Sequence, residues 1–227
     1  MSNDRKVYFT PDLFRFLGQL AKNNNREWFS KNKQRYEKTV RDPSLQFIKD
    51  MRKRLSEVSP YLVADPKPFG GSLFRIYRDI RFSKDKSPYK TNLAMDFWHK
   101  KGEKKVHAPG LYLHLAPGKS FVGGGIWHPD PPTLNKVRLA IVKRPDAWQS
   151  VLDSKLEIEG DSLKRPPKGF DPNHHFIADL KRKDFIAGKS FKDSQVTSSR
   201  FADDFLEVSK SLNPLNEFIA NAIGLPW

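Results

Sequence analysis

SLFRIYRDIRF, Ser72 to Phe82, is where a hydrophobic period of about 3.6 gives way to one of about two. Alternation puts Phe74, Ile76, Ile80 and Phe82 on one side and Arg75, Tyr77, Asp79 and Arg81 on the other, with Arg78 the lone charge in the apolar row. The stretch reads as a strand with a core side and a charged side. Pro60, Pro66, Pro68 and Gly70-Gly71 mark the boundary ahead of it.

Upstream the chain is helical. Thr10-Pro11-Asp12 followed by Leu13, Phe14, Leu17, Leu20 and Ala21 predicts a helix capped by Thr10. Asn23-Asn24-Asn25 interrupts it, and Arg26-Glu27-Trp28-Phe29 opens a second helix toward Tyr36 or Val40, with Lys31 to Lys38 as a solvated basic face. Asp42-Pro43 reads as a fresh cap before Leu45, Ile48, Met51, Leu55 and Val58.

Downstream of Ser72, four strands are predicted: Ser72 to Phe82, Thr91 to Trp98, Gly110 to Ala116 and Ser120 to Trp127. Links as short as Lys100-Lys101-Gly102 and Pro117-Gly118 require antiparallel pairing, since a parallel pair needs a crossover of about a dozen residues. Helices follow over Thr133 to Val142, capped by Thr133, and over Pro145 to Leu152. Leu156 to Ser198 is rich in Lys, Asp, Pro and Gly, with only Ile177 to Arg182 read as a short helix. Arg200 to Ile223 is helical in period, with Pro214 splitting it. The expectation is α+β: one domain over residues 1–227, with a largely antiparallel sheet over about residues 72–127 flanked by N-terminal and C-terminal helices.

Composition narrows function. With 227 residues, 37% of them apolar, the chain has material for a core, and with no cysteine it has no disulfide, thiolate metal site, iron–sulfur cluster or cysteine nucleophile. The opening MSNDRKVYFT carries no signal-like apolar stretch, and no window approaches the roughly 18 apolar residues of a membrane helix. A cytoplasmic address and no membrane partner are expected. The charge is +15, from 41 Lys+Arg against 26 Asp+Glu. The excess sits mid-chain, with ten Lys/Arg against four Asp/Glu from Arg75 to Lys105, whereas the last stretch from Phe201 is acidic. Anionic partners follow from that balance.

Three arginines and an aspartate within seven residues can form a lattice in which Asp79 orients guanidinium forks toward phosphate or carboxylate. Ser83 to Thr91 then brings Lys84, Lys86 and Lys90 to the mouth of the sheet, beside Tyr89. A solvated sheet face with edge lysines is the plainer alternative. Gly123-Gly124-Gly125 before Ile126-Trp127-His128 points to a close approach of ligand or backbone, or to a bulge. His114 and His128 are acid–base candidates, with Asp79 as a third. The binding candidates are Arg75, Arg78, Asp79, Arg81, Lys86, Tyr89, Lys90, Gly124 and Trp127.

Other motifs fail. Gly118-Lys119-Ser120 lacks the glycine a phosphate loop needs at position 113, which is leucine, and there is no G-x-S-x-G elbow. His174-His175 are adjacent, and no histidine pair has the spacing of a zinc-binding helix face. A magnesium site from Asp79, Asp85 or Asp96 would need a phosphate to offset the surrounding cations. No cofactor is indicated.

RIYRDIRFSKDKSPYKT, with APGLYLHL, VGGGIWHP, LKRPPKGFD and LKRKDFIA, resembles the family catalogued as domain of unknown function 2461, from about Leu13 to Leu215. Arg75, Arg78, Asp79, Arg81, Phe82, Lys86, Pro88, Tyr89 and Lys90 fall on the first motif. The resemblance implies a single domain and brings no activity and no catalytic residues. Three readings remain open: an anionic small molecule bound by the charged sheet face, with or without catalysis; nucleic acid bound there; or a structural ion network with no ligand.

Overall fold

In the computed structural model, which describes residues 6–102 and 108–227, the first helix starts where the spacing predicts. Helix α1 spans Pro11–Lys22 and buries Leu13, Phe14, Phe16, Leu17 and Leu20, although the Thr10 side chain makes no capping bond. Asn25 caps α2 (Arg26–Lys31) by accepting the Trp28 N–H at 2.9 Å, and α3 (Lys33–Tyr36) follows. Asp42-Pro43 does not start a fresh helix. The backbone winds on through a π-turn over Glu37–Arg41 into α4 (Asp42–Arg54). Proline offers no N–H to the carbonyl one turn back, and local widening accommodates its ring without ending the helix.

The sheet is an antiparallel meander in the order β1-β2-β3-β4, formed by Leu93–Phe97, Gly110–Leu115, Ser120–Ile126 and Phe185–Phe191. The fold is therefore α+β, but two expectations about the sheet's extent need correction. Ser72 to Phe82 is not a ladder strand: it makes isolated bridges only, Leu73 to Met95 and Tyr77 to Tyr89. The Asp79 carboxylate accepts the backbone N–H of Arg81 at 3.3 Å, a local turn that competes with extended pairing. Phe82, expected in the core row, is 96% exposed, and Phe74 is 43% exposed; Leu73 and Ile76 are the residues buried here. Conversely, β4 lies in the segment left without a strand. Its Gly188-Lys189-Ser190 run is exposed on the sheet edge and shows no alternation. Part of the basic stretch ending at Lys105 lies outside the described residues.

Helix α5 (Pro131–Lys143) is capped by Asp130, whose side chain accepts the Thr133 N–H, rather than by Thr133. An aspartate before two prolines leaves Thr133 as the first free N–H of the turn. Then come α6 (Pro145–Asp153), α7 (Ile177–Leu180) and α8 (Asp193–Val196). Pro214 does divide the C-terminal segment, into α9 (Phe201–Ser211) and α10 (Asn213–Ala222).

The two C-terminal helices pack against β3 on one face of the sheet. That face carries Leu111, Leu113, Leu115, Val122 and Ile126, all buried. A run of rings joins the layers: Phe9 to Phe47 at 5.7 Å, Phe47 to Phe205 at 5.4 Å and Phe205 to Phe97 of β1 at 5.5 Å. Each fully buried phenylalanine contributes roughly 1.5–3 kcal/mol. The opposite face presents Tyr112, His114, Phe121 and Gly123, all partly exposed. Among the described residues no helix is long and apolar enough to cross a membrane.

Candidate functional site

The charged stretch folds back as a short hairpin beside β1. The Arg78 N–H donates to Pro88 O at 2.9 Å and the Lys90 N–H to Ile76 O at 2.7 Å, around the Tyr77–Tyr89 bridge. Just before it, the Phe74 N–H donates to Ala94 O and the Asp96 N–H to Ser72 O, so the chain enters the hairpin along the β1 edge. Tyr89 is buried against Phe29, with the rings stacked at 4.1 Å.

Most of the hairpin's charges are satisfied within it. Arg81 holds Asp79 by two bonds, Nε to Oδ1 at 3.0 Å and a second guanidinium nitrogen to Oδ2 at 2.7 Å. That fork, with the Arg81 backbone N–H, keeps the Asp79 carboxyl at about 2, hence ionised across the neutral range. The pair is exposed, so it is not a buried network. Arg78 donates to Asp85 and to the Ser87 hydroxyl, and Lys86 Nζ donates to Ile80 O at 3.1 Å. The Ser87 backbone N–H, then Arg78, hold the Asp85 carboxyl at about 2. With Asp79 and Asp85 each tied to an arginine, neither is free for magnesium. Among the described residues, no group of three His, Asp or Glu side chains stands at metal-binding spacing. Arg26, Tyr77, Arg78, Ile80, Pro88 and Tyr89 line a shallow cleft on the hairpin's flank.

Arg75 and Lys90 differ. Among the described residues neither has a carboxylate within ion-pair distance. Burial, and then the Arg75 charge, push the Lys90 ammonium below its ordinary pKa. Its Nζ sits 5.1 Å from the centre of the Phe74 ring, which meets Tyr112 edge-on at 6.1 Å. Tyr112 in turn contacts Phe121 at 5.9 Å, and Phe121 stacks on His114 at 5.0 Å. A cation thus leads through one ring onto an aromatic face.

Strand register explains the grouping. Tyr112 lies opposite Gly123 and Gly123 opposite Gly188, while the next row holds His114, Phe121 and Ser190. His114 Nδ1 lies 3.4 Å from Asn92 Nδ2 and 3.3 Å from the Tyr112 hydroxyl. Burial lowers the His114 pKa, so the ring is neutral near pH 7; burial and Asp96 raise that of Tyr112.

The remaining candidates lie apart from the hairpin. Gly124 faces the helices, where a Cβ would stand 2.9 Å from Asn216 Nδ2 and 3.2 Å from Leu212 Cδ1. Trp127, past the end of β3, stacks on His128 at 4.1 Å. His128 has φ +49° and donates its backbone N–H at 2.7 Å to the buried Asp184 carboxylate, which also lies 3.1 Å from its Nδ1. Asp184 accepts the Asp161 N–H as well, at 3.1 Å, and so ties two loops together.

Sequence reasoning did not single out Phe74 as a surface ring, nor Phe121, Asn92 or Asp184, and from the triglycine run it carried Gly124 rather than Gly123 as the binding candidate. Phe121 was within reach, since alternation along its strand and pairing with the preceding one set it beside His114. Asp184 had no signal without β4.

The chain matches a family described as "Conserved hypothetical protein (DUF2461)" over residues 12–218 and belongs to it; that description assigns no activity. No curated protein and no solved structure gives a match.

Proposed function

We propose that this DUF2461 member is a cytoplasmic protein that binds a phosphorylated or carboxylated small molecule where the hairpin meets the open sheet face. The observation that carries the reading is the pair Arg75 and Lys90, two cations near each other with no carboxylate at ion-pair distance among the described residues, one of them pushed toward its neutral form. A bound anion would relieve both effects at once. Arg78, Asp79, Arg81 and Lys86 act one step back, fixing the hairpin that carries Lys90. Neutral His114 is the group placed to exchange a proton with a ligand on this face, and is the catalytic residue if the protein is an enzyme.

Thermal shift against a broad panel of phosphate- and carboxylate-bearing metabolites tests the site. Ligands should raise the melting temperature of the wild type and of Arg81→Ala, and should leave Lys90→Met unmoved. Silence across the panel, or a response by Lys90→Met equal to the wild type, would overturn it.

One observation favours nucleic acid as a second reading. Phe82 stands 96% exposed with the Arg81 guanidinium 5.9 Å from its ring centre, between basic residues that could follow a phosphate backbone. Single-stranded oligonucleotides should then bind with a steep salt dependence, and Phe82→Ala should weaken that binding while leaving its salt slope unchanged; weak, salt-insensitive binding removes this reading.

A further inference from the structure

Two of the three consecutive glycines in β3 are required by the chain itself. Gly125 has φ +112°, and a Cβ there would fall 2.0 Å from Phe185 O. At Gly124 a Cβ would press on Asn216 and Leu212 beneath the helices. Gly123 is different. Its φ lies outside the left-handed region, and a Cβ would meet nothing closer than Ala187 O at 3.5 Å and Phe121 Cε2 at 3.9 Å, ordinary contacts. A bare glycine weakens a strand, since it adds backbone entropy to the unfolded chain and brings no side chain to pack.

Gly123 lies on the open face, directly across from Tyr112 on one side and Gly188 on the other. A strip of bare backbone therefore runs beside the rings of Tyr112, Phe121 and His114, one ring removed from Lys90. Omitting a side chain there leaves a flat floor with an aromatic wall and a cation at its rim.

We propose that the floor holds a planar ring of the ligand, against Tyr112 and the Gly123 backbone, while the ligand's anionic group lies at Lys90 and Arg75. The ligand class is a nucleoside phosphate or a related aromatic anion. Stacking on tyrosine and phenylalanine recognises a base by its face, and two neighbouring cations with no carboxylate at ion-pair distance among the described residues recognise a phosphate. The inference rests on the anion site proposed above and adds to it the chemistry of the rest of the ligand.

Calorimetric titration with adenosine 5′-monophosphate, ribose 5-phosphate and adenosine separates the parts. Adenosine 5′-monophosphate should bind about tenfold or more tightly than ribose 5-phosphate, a difference of one good stacking contact. Gly123→Ala should melt at or above the wild-type temperature yet lose that preference, keeping ribose 5-phosphate binding. Tyr112→Leu should lose the same preference, and Lys90→Met should weaken both phosphates. Equal affinity for the two phosphates would overturn the ring site and leave the anion site standing; binding of neither would remove both. A preference that survives Gly123→Ala and Tyr112→Leu would also overturn it.

Discussion

The Asn24 side-chain amide pairs with both backbone groups of Tyr89: its Nδ2 donates to Tyr89 O at 2.9 Å and its Oδ1 accepts the Tyr89 N–H at 3.0 Å. One side chain in the α1–α2 connection thus acts as a strand partner for a residue far along the chain. It closes the free edge of the hairpin and holds Tyr89 on Phe29. The neighbouring Lys90 inherits its position from that contact.

Asn24→Ala should therefore loosen the hairpin. Leaving a part-buried N–H and C=O without partners costs about 1–3 kcal/mol. Urea denaturation should show a lower midpoint with an unchanged slope, the mark of lost stability without a change in compactness. Anion binding at Lys90 should weaken in parallel. A midpoint equal to the wild type would mean that water replaces the amide fully and that the hairpin is held by Phe29 and Tyr77 alone.

Glycine substitutions in β3 should rank by what a Cβ meets. Gly125→Ala faces a carbonyl oxygen at 2.0 Å and a positive φ, so it should be the most damaging of the three. Gly124→Ala must displace Asn216, which is fully buried and whose amide finds no hydrogen-bond partner among the described residues, and should cost about 1–3 kcal/mol. Gly123→Ala should be neutral or stabilising. Melting temperatures of the three variants check the order, and a Gly123→Ala as unstable as Gly124→Ala would show that packing demands that glycine too.

Much of this arrangement was legible in the chain, for reasons that differ by element. Strands β2 and β3 show their alternation because one face is buried by α9 and α10 and the other is not, and Pro214 divides the C-terminal helices as its missing N–H dictates. β4 hid because an edge strand can carry Gly188, Lys189 and Ser190 in the open. The Ser72–Phe82 pattern misled for the opposite reason: its alternation is real, but the Asp79–Arg81 turn and Pro88 limit pairing to a few residues, and Phe82 ends at a loop tip. Lys90, Tyr112 and His114 stand out by residue type. That Arg75 and Lys90, and not Arg78 or Arg81, have no carboxylate at ion-pair distance among the described residues depends on which carboxylate each side chain reaches, and spacing along the chain does not encode that.

His99 gives the protein a pH dependence whose sign can be worked out. The ring is 1% exposed, lies between Tyr61 at 5.4 Å and Trp227 at 6.1 Å, and bridges the backbone at both nitrogens. Nε2–H donates to Pro226 O at 2.7 Å, and Nδ1 accepts the Lys101 N–H at 3.2 Å. The neutral tautomer is thereby fully satisfied, and a second proton on Nδ1 would turn that acceptor against a donor. Burial lowers the pKa from 6.5, the Lys100 and Lys101 charges add to it, and the Pro226 carbonyl offsets only part. Because the folded value is depressed, the unfolded chain takes up the proton first as pH falls. The contribution is complete above about 6.5 and is lost between there and the folded value, at about 1.4 kcal/mol per unit of depression. Denaturation of the wild type from about pH 7 to about pH 5 should show stability falling in that window, and His99→Gln, which keeps a donor but cannot titrate, should flatten the fall. His114 shifts in the same direction, so His99→Gln should reduce the slope rather than remove it, and His99→Gln/His114→Gln should flatten it further. A wild-type slope retained in His99→Gln would mean that the Tyr61–His99–Trp227 stack opens to solvent before the histidine takes up its proton.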